Sequence, residues 1–133
     1  MKFNLDTAQG IMIHSSQTGE VVLKRPTGNP AAPFRKESYT NSLLLGSNEQ
    51  LQDWPVGHIS DLSTTHLEPV WAVGPDIVLL GTGKKLIFPA AEVLQGFGTR
   101  GIGFEVMDTA AACRTYNVLL AEGRDVMALL IID

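Results

Sequence analysis

The apolar positions of this chain fall largely into short, nearly unbroken runs. Val126 to Ile132 is almost wholly apolar, Asp76 to Leu80 carries Ile77-Val78-Leu79-Leu80, and Ser42-Leu43-Leu44-Leu45 ends at Gly46-Ser47-Asn48. Runs of this length without polar alternation are strands buried on both faces, so the pattern predicts a sheet with a layer on each side and Val126–Ile132 at its centre. Nearer the start, Ile11-Met12-Ile13-His14 and Glu20-Val21-Val22-Leu23-Lys24 flank a Ser15–Gly19 turn, which predicts a hairpin. The stretch PTGNPAAP, Pro26 to Pro33, predicts a loop. Ser60 to Ala72 predicts a short helix, Ala90 to Phe97 a helix after Pro89, and Ile102 to Met107 another strand. The resulting order is β-rich first and alternating strand and helix afterwards, without internal repeats.

A helix over Thr109 to Glu122 follows from a change of period. Ala112, Cys113, Tyr116, Leu119 and Leu120 share one helical stripe, while Arg114, Asn117 and Ala121 fall on another. The first stripe predicts core. Asp108 stands just before the helix, where a carboxylate caps the free N–H groups of the first turn, a role worth about 1 kcal/mol. Gly123 fits a left-handed stop at the far end. Capping alone accounts for Asp108 without any catalytic role.

With 133 residues and 44% hydrophobic content, the chain supports one sizeable core, and a single domain over 1–133 is expected. The formal net charge is −4, and the basic residues are scattered in pairs such as Lys24-Arg25, Arg35-Lys36 and Lys84-Lys85. Such a balance argues against nucleic acid or an anionic membrane as the main partner. The longest apolar runs fall far short of the roughly 20 residues that span a bilayer. Met1 to Asp6 carries neither an apolar signal core nor an Arg-rich presequence. Cys113 is the one cysteine, which excludes an intrachain disulfide. A cytoplasmic location is the expectation.

Motif matches narrow the chemistry. Gly96-Phe97-Gly98-Thr99-Arg100-Gly101 fits G-x-G-x-x-G but follows a predicted helix and precedes a strand, the reverse of a dinucleotide-binding order, and reads as a helix exit and tight loop. Gly81-Thr82-Gly83-Lys84-Lys85 follows a strand and could cradle an anion with backbone N–H groups and the Lys84 ammonium. It lacks the earlier glycine and the Ser or Thr after lysine that define a phosphate loop, so an ordinary glycine turn is the reading placed ahead of an anion site. His14, His58 and His66 are too dispersed for a metal site, and a single thiol on a buried stripe is inert. No Gly-x-Ser-x-Gly elbow occurs, and Trp54 and Trp71 lack the basic stripe of a stacking platform. No cofactor and no metal is expected.

In combination, DIVLLGTG, FPAAEVL and GIGFEVMDTAAACRTYNVLLAEGRDVMALL carry a specific likeness. From about Ser42 onward, and densely from Asp76, the chain resembles the domain-of-unknown-function family that includes the mitochondrial complex I assembly factor 3 and many small bacterial proteins. The resemblance implies an α/β fold of three layers, β+β/α, with a mixed central sheet. For activity it implies only the assembly role of the mitochondrial relative, and a bacterial member is the expectation for this chain.

One constellation remains. If the strands ending at Leu45, Leu80 and Met107 run parallel, Gly46-Ser47, Gly81-Thr82-Gly83 and Asp108-Thr109 meet on one edge beside a helix N-terminus. Lys84, Glu105, Arg114 and Asn117 could contribute there, although a Glu105–Arg114 ion pair joining strand to helix would serve structure alone. The candidate pocket for a ligand or partner is therefore Gly81, Thr82, Gly83, Lys84, Glu105, Asp108, Thr109, Arg114 and Asn117. Two function classes follow: a non-enzymatic module that binds a protein partner, which the resemblance favours, and a protein that binds a small molecule or anion at the strand ends, with or without turnover. No catalytic residue is assigned.

Overall fold

The computed structural model describes residues 10–48 and 51–133; Met1 to Asp6, read above for a targeting segment, lies outside them. The predicted hairpin forms from β1 (Met12–Gln17) and β2 (Glu20–Pro26), closing through Thr18 and a Gly19 at φ 77° that only glycine adopts without strain. Its turn is tighter than the sequence suggested because Ser15, Ser16 and Gln17 all pair with β2, after a bulge at His14. A further strand, β3 (Phe34–Tyr39), pairs antiparallel with β2 and completes a three-stranded sheet.

β4 (Leu43–Gly46) and the short β5 (Leu51–Asp53) follow, paired antiparallel. The short helix predicted within Ser60–Ala72 is α1 (Glu68–Val73), and two 3-10 turns, Ile59–Asp61 and Thr64–Leu67, lead into it. Pro69 explains the late start: proline is tolerated only in the first helical turn, so the α-helix begins at Glu68. Beyond it come β6 (Ile77–Gly81), α2 (Ala91–Arg100), β7 (Gly103–Met107), α3 (Thr109–Ala121) and β8 (Val126–Leu130).

The second sheet has the order β5-β4-β8-β6-β7, so β8 is its middle strand, as its unbroken apolar run requires. β6 is parallel to both β7 and β8, whereas β4 is antiparallel to β8; the sheet is mixed. Alternation along β8 divides the core between the two faces. Val126, Ala128 and Leu130 point to one side, toward Tyr116 and Cys113 of α3 and Ile13, Val21 and Leu23 of the small sheet. Met127 and Leu129 point to the other, toward Val70 of α1, Val93 and Phe97 of α2, and Trp54. Each Val, Leu or Met of β8 contributes about 1.5–3 kcal/mol on leaving water, which makes this strand the axis of the three-layer α/β fold.

On the second face, α2 runs through Gly96–Arg100 and stops at Gly101 with φ 68°. The G-x-G-x-x-G string is therefore helix rather than loop. Gly96 is there for contact: a Cβ would sit 3.1 Å from Cζ2 of Trp71. Phe97 stacks on Phe104 with centroids 3.8 Å apart, and the Arg100 guanidinium lies 3.9 Å over the Trp71 ring.

Candidate functional site

Parallel pairing puts Gly81 level with both Met107 and Leu130. The chain leaving each of these three strand ends therefore arrives at the same edge: Thr82-Gly83-Lys84 after β6, Asp108-Thr109 after β7, and Ile131 to Asp133 after β8. Gly46-Ser47 does not join them. Since β4 runs antiparallel, its end lies at the opposite edge, where Ser47 Oγ donates to Asp125 Oδ1 at 3.1 Å and Ser47 N–H to the Val126 carbonyl at 3.0 Å.

The strand ends are tied to one another by hydrogen bonds through Thr109, which is 7% exposed. Its hydroxyl accepts the Gly83 N–H at 2.8 Å and donates to the Ile131 carbonyl at 2.6 Å, while its own N–H donates to the Gly83 carbonyl at 2.9 Å. Thr82 N–H donates to the Met107 carbonyl, and Lys84 N–H to Asp133 Oδ1 at 3.2 Å. All three consecutive N–H groups of the turn thus have partners within the chain. A Cβ on Gly81 would lie 2.9 Å from the Thr109 Cα, and one on Gly83, whose φ is 100°, would lie 2.4 Å from Asp133 Oδ2. Gly81 is required by close packing against the Thr109 backbone, and Gly83 by its left-handed φ.

Asp108 is the N-cap of α3, accepting the Ala111 N–H at 2.8 Å in extended conformation. Asn117, two turns on, faces the small sheet and holds Ile13 of β1 rather than the strand ends. Arg114 is exposed beside it. Glu105 is exposed on the edge strand β7, and among the described residues no ion pair joins it to Arg114.

An open cavity of about 310 Å³ lies between this edge and the β1–β2 hairpin, lined by Gly83, Lys84, Asp108 and Thr109 together with Ser16, Gln17, Thr18 and Asp133. A second of about 230 Å³ adjoins it through Ser16 and Ala110 and is lined by His14, Cys113, Arg114 and Asn117. Gly81, Thr82 and Glu105 line neither. The hairpin and Asp133 walls carry no sequence signal, being ordinary polar residues that only the docking of the small sheet brings here. Burial pushes the Cys113 thiol up to about 11, against the opposing pull of a Ser16 hydrogen bond and the Arg114 charge. Its thiolate is scarce at neutral pH, which leaves it unsuited to nucleophilic work. Among the described residues, no cluster of three or more His, Cys, Asp or Glu side chains could hold a metal, and no helix is long and apolar enough to cross a membrane.

Comparison with known proteins agrees with this architecture. A Xanthomonas campestris protein solved by NMR superimposes with a TM-score of 0.76 over 99% of this chain and 92% of its own, at 32% identity. A Francisella tularensis protein named 13 kDa major membrane protein is 33% identical over 95 residues, 70% of this chain and 76% of its own. The human NADH dehydrogenase [ubiquinone] 1 alpha subcomplex assembly factor 3 is 40% identical over 80 residues, which is 59% of this chain and 44% of the factor, so the chain spans under half of that relative. The pattern of a family described as "Protein of unknown function (DUF498/DUF598)" runs across residues 28–131, from the loop before β3 to the end of β8, and the chain belongs to that family.

Proposed function

We propose that this protein is a single-domain, non-enzymatic module of a bacterial cell that binds a protein partner, in the manner of an assembly factor. Similarity to the mitochondrial assembly factor supports the reading. The observation that carries it is the internal use of the turn's N–H groups: those of Thr82, Gly83 and Lys84 go to Met107, Thr109 and Asp133, which makes the glycine turn a joint between strands. An anion would have to displace these bonds. The partner-facing surface is the rim of the cavity between the hairpin and α3, where Thr18, Lys84, Asp108 and Arg114 stand around a space that accepts a side chain or short loop of another protein.

The test compares proteins co-purified with the intact chain and with Arg114→Glu and Thr18→Trp, both at exposed positions. The expected result is selective loss of a partner at unchanged melting temperature. Beside it, a thermal-shift series with phosphate, sulfate and metabolites should leave the melting temperature unmoved. A ligand at one hundred times its dissociation constant stabilises by about 2.7 kcal/mol, so a shift of that size would replace the partner reading with ligand binding at the strand ends.

A further inference from the structure

Leu86, Ile87 and Phe88, in the loop between β6 and α2, are 52%, 39% and 68% exposed. Three consecutive large apolar side chains left in water need a reason. The loop is not slack. Thr82 Oγ1 accepts the Ile87 N–H at 3.2 Å and donates to the Lys85 carbonyl, and Pro89 is buried at the base. The residues that hold the loop are therefore the same ones that keep its apolar side chains outside. Leu94, on the helix that follows, is also 40% exposed. Phe34 is different, since the Lys24 ammonium covers its ring at 4.5 Å.

Lys84 and Lys85 precede the apolar triplet and are both exposed. Cations beside apolar side chains are the combination that suits an anionic bilayer surface, with ammonium groups at the lipid phosphates and hydrocarbon below them. Asp133, which accepts the Lys84 N–H, and Glu92 in the first turn of α2 moderate the attraction and make it reversible and salt-sensitive. The scattered charge of the whole chain conceals this local arrangement.

We propose that the Lys84–Phe88 loop attaches the protein peripherally to anionic lipid surfaces, Leu86, Ile87 and Phe88 entering the boundary between headgroups and acyl chains and Lys84 and Lys85 contacting lipid phosphates. This attachment shares Lys84 with the partner-binding rim, whereas Lys85, Leu86, Ile87 and Phe88 lie outside both cavities.

Co-sedimentation of the full chain with vesicles tests it. The chain pellets with phosphatidylcholine vesicles containing phosphatidylglycerol, is released in high salt, and stays in the supernatant when the vesicles are pure phosphatidylcholine. Ile87→Ser combined with Phe88→Ser weakens partitioning about tenfold or more. Charge reversal, Lys84→Glu with Lys85→Glu, weakens it by about fivefold or more per lysine. Val118→Ser, which removes a lone apolar residue 56% exposed on α3, leaves it unchanged. Melting temperatures of all variants stay near that of the parent, because none of the altered side chains is in the core. Absence of binding, equal binding to neutral vesicles, or equal loss in Val118→Ser overturns the proposal. So does a change of self-association in Phe88→Ser without a change in vesicle binding, which would mark the loop as a contact between copies.

Discussion

Asn117 holds the backbone of Ile13 at both ends: its Oδ1 accepts the Ile13 N–H at 2.9 Å, and its Nδ2 donates to the Ile13 carbonyl at 2.7 Å. The side-chain amide does for the outer edge of β1 what a neighbouring strand would do, so α3 covers an edge that would otherwise be free to pair with another chain. Asn117→Leu removes both bonds and is expected to cost about 2 kcal/mol, from two bonds of about 1 kcal/mol each. Asn117→Asp keeps the acceptor but sets a carboxylate against the Ile13 carbonyl, and should be no better. Denaturant midpoints measure this; a midpoint unchanged in Asn117→Leu would show the contact to be idle.

Thr109 offers a sharper comparison. Thr109→Ser retains the hydroxyl that joins Gly83 to Ile131, whereas Thr109→Val keeps the shape and leaves a buried N–H and carbonyl without a partner. The valine variant should lose about 2 kcal/mol and the serine variant under about 1. Gly81→Ala should be worse than either, because its Cβ meets backbone at 2.9 Å and cannot be relieved by a rotamer change.

For Asp108, the cap geometry predicts a ranking. Asn and Ser also accept from the first-turn N–H groups, so Asp108→Asn and Asp108→Ser should melt nearly as the parent does, and Asp108→Ala should cost about 1 kcal/mol. Parent-like melting in Asp108→Asn, combined with loss of the partner on the rim, would assign the carboxylate a recognition role in addition to the cap.

Stability should fall on the alkaline side. The Cys113 thiol is raised from 9.0 to about 11 by burial, so the folded state keeps its proton where the unfolded chain has lost it. This contribution is fully present below about pH 9 and is lost progressively toward pH 11. Tyr116, buried with its hydroxyl donating to the Ile11 carbonyl at 3.3 Å, is raised in the same direction and steepens the loss above about pH 10. Chemical denaturation from about pH 8 upward should show the decline, reduced in Cys113→Ala. Alkylation of Cys113 should likewise track unfolding rather than precede it.

Ending the chain after Gly123 removes β8, on which both halves of the core rest. The shortened chain should not fold cooperatively, and its thermal profile should lack a transition. A soluble product with a sharp melt would overturn the central place given to that strand.

Much of this was legible in the residues. An apolar run such as Val126–Ile132 has no polar position to turn outward, so it must lie in the middle of a covered sheet, and a stripe at helical spacing behind an aspartate must be a capped helix. Both follow from local pattern alone. β3 was not legible, because Phe34-Arg35-Lys36-Glu37-Ser38-Tyr39 forms an exposed outer strand whose charged side chains read like a loop. β5 is too short to show alternation. The direction of β4 was equally hidden: a strand buried on both faces looks the same read either way, and pairing with β8 alone made it antiparallel and sent Gly46-Ser47 to the far edge. At the candidate site, the sequence located Gly81 to Gly83 and Asp108-Thr109 at strand ends, since glycines and caps mark where chains turn. What those groups face was decided in three dimensions. Thr109, Asp133 and the Ser16–Thr18 hairpin are far apart along the chain, and only the parallel register and the docking of the small sheet bring them to one edge, because hydrogen-bond partners follow from packing while sequence pattern records only burial.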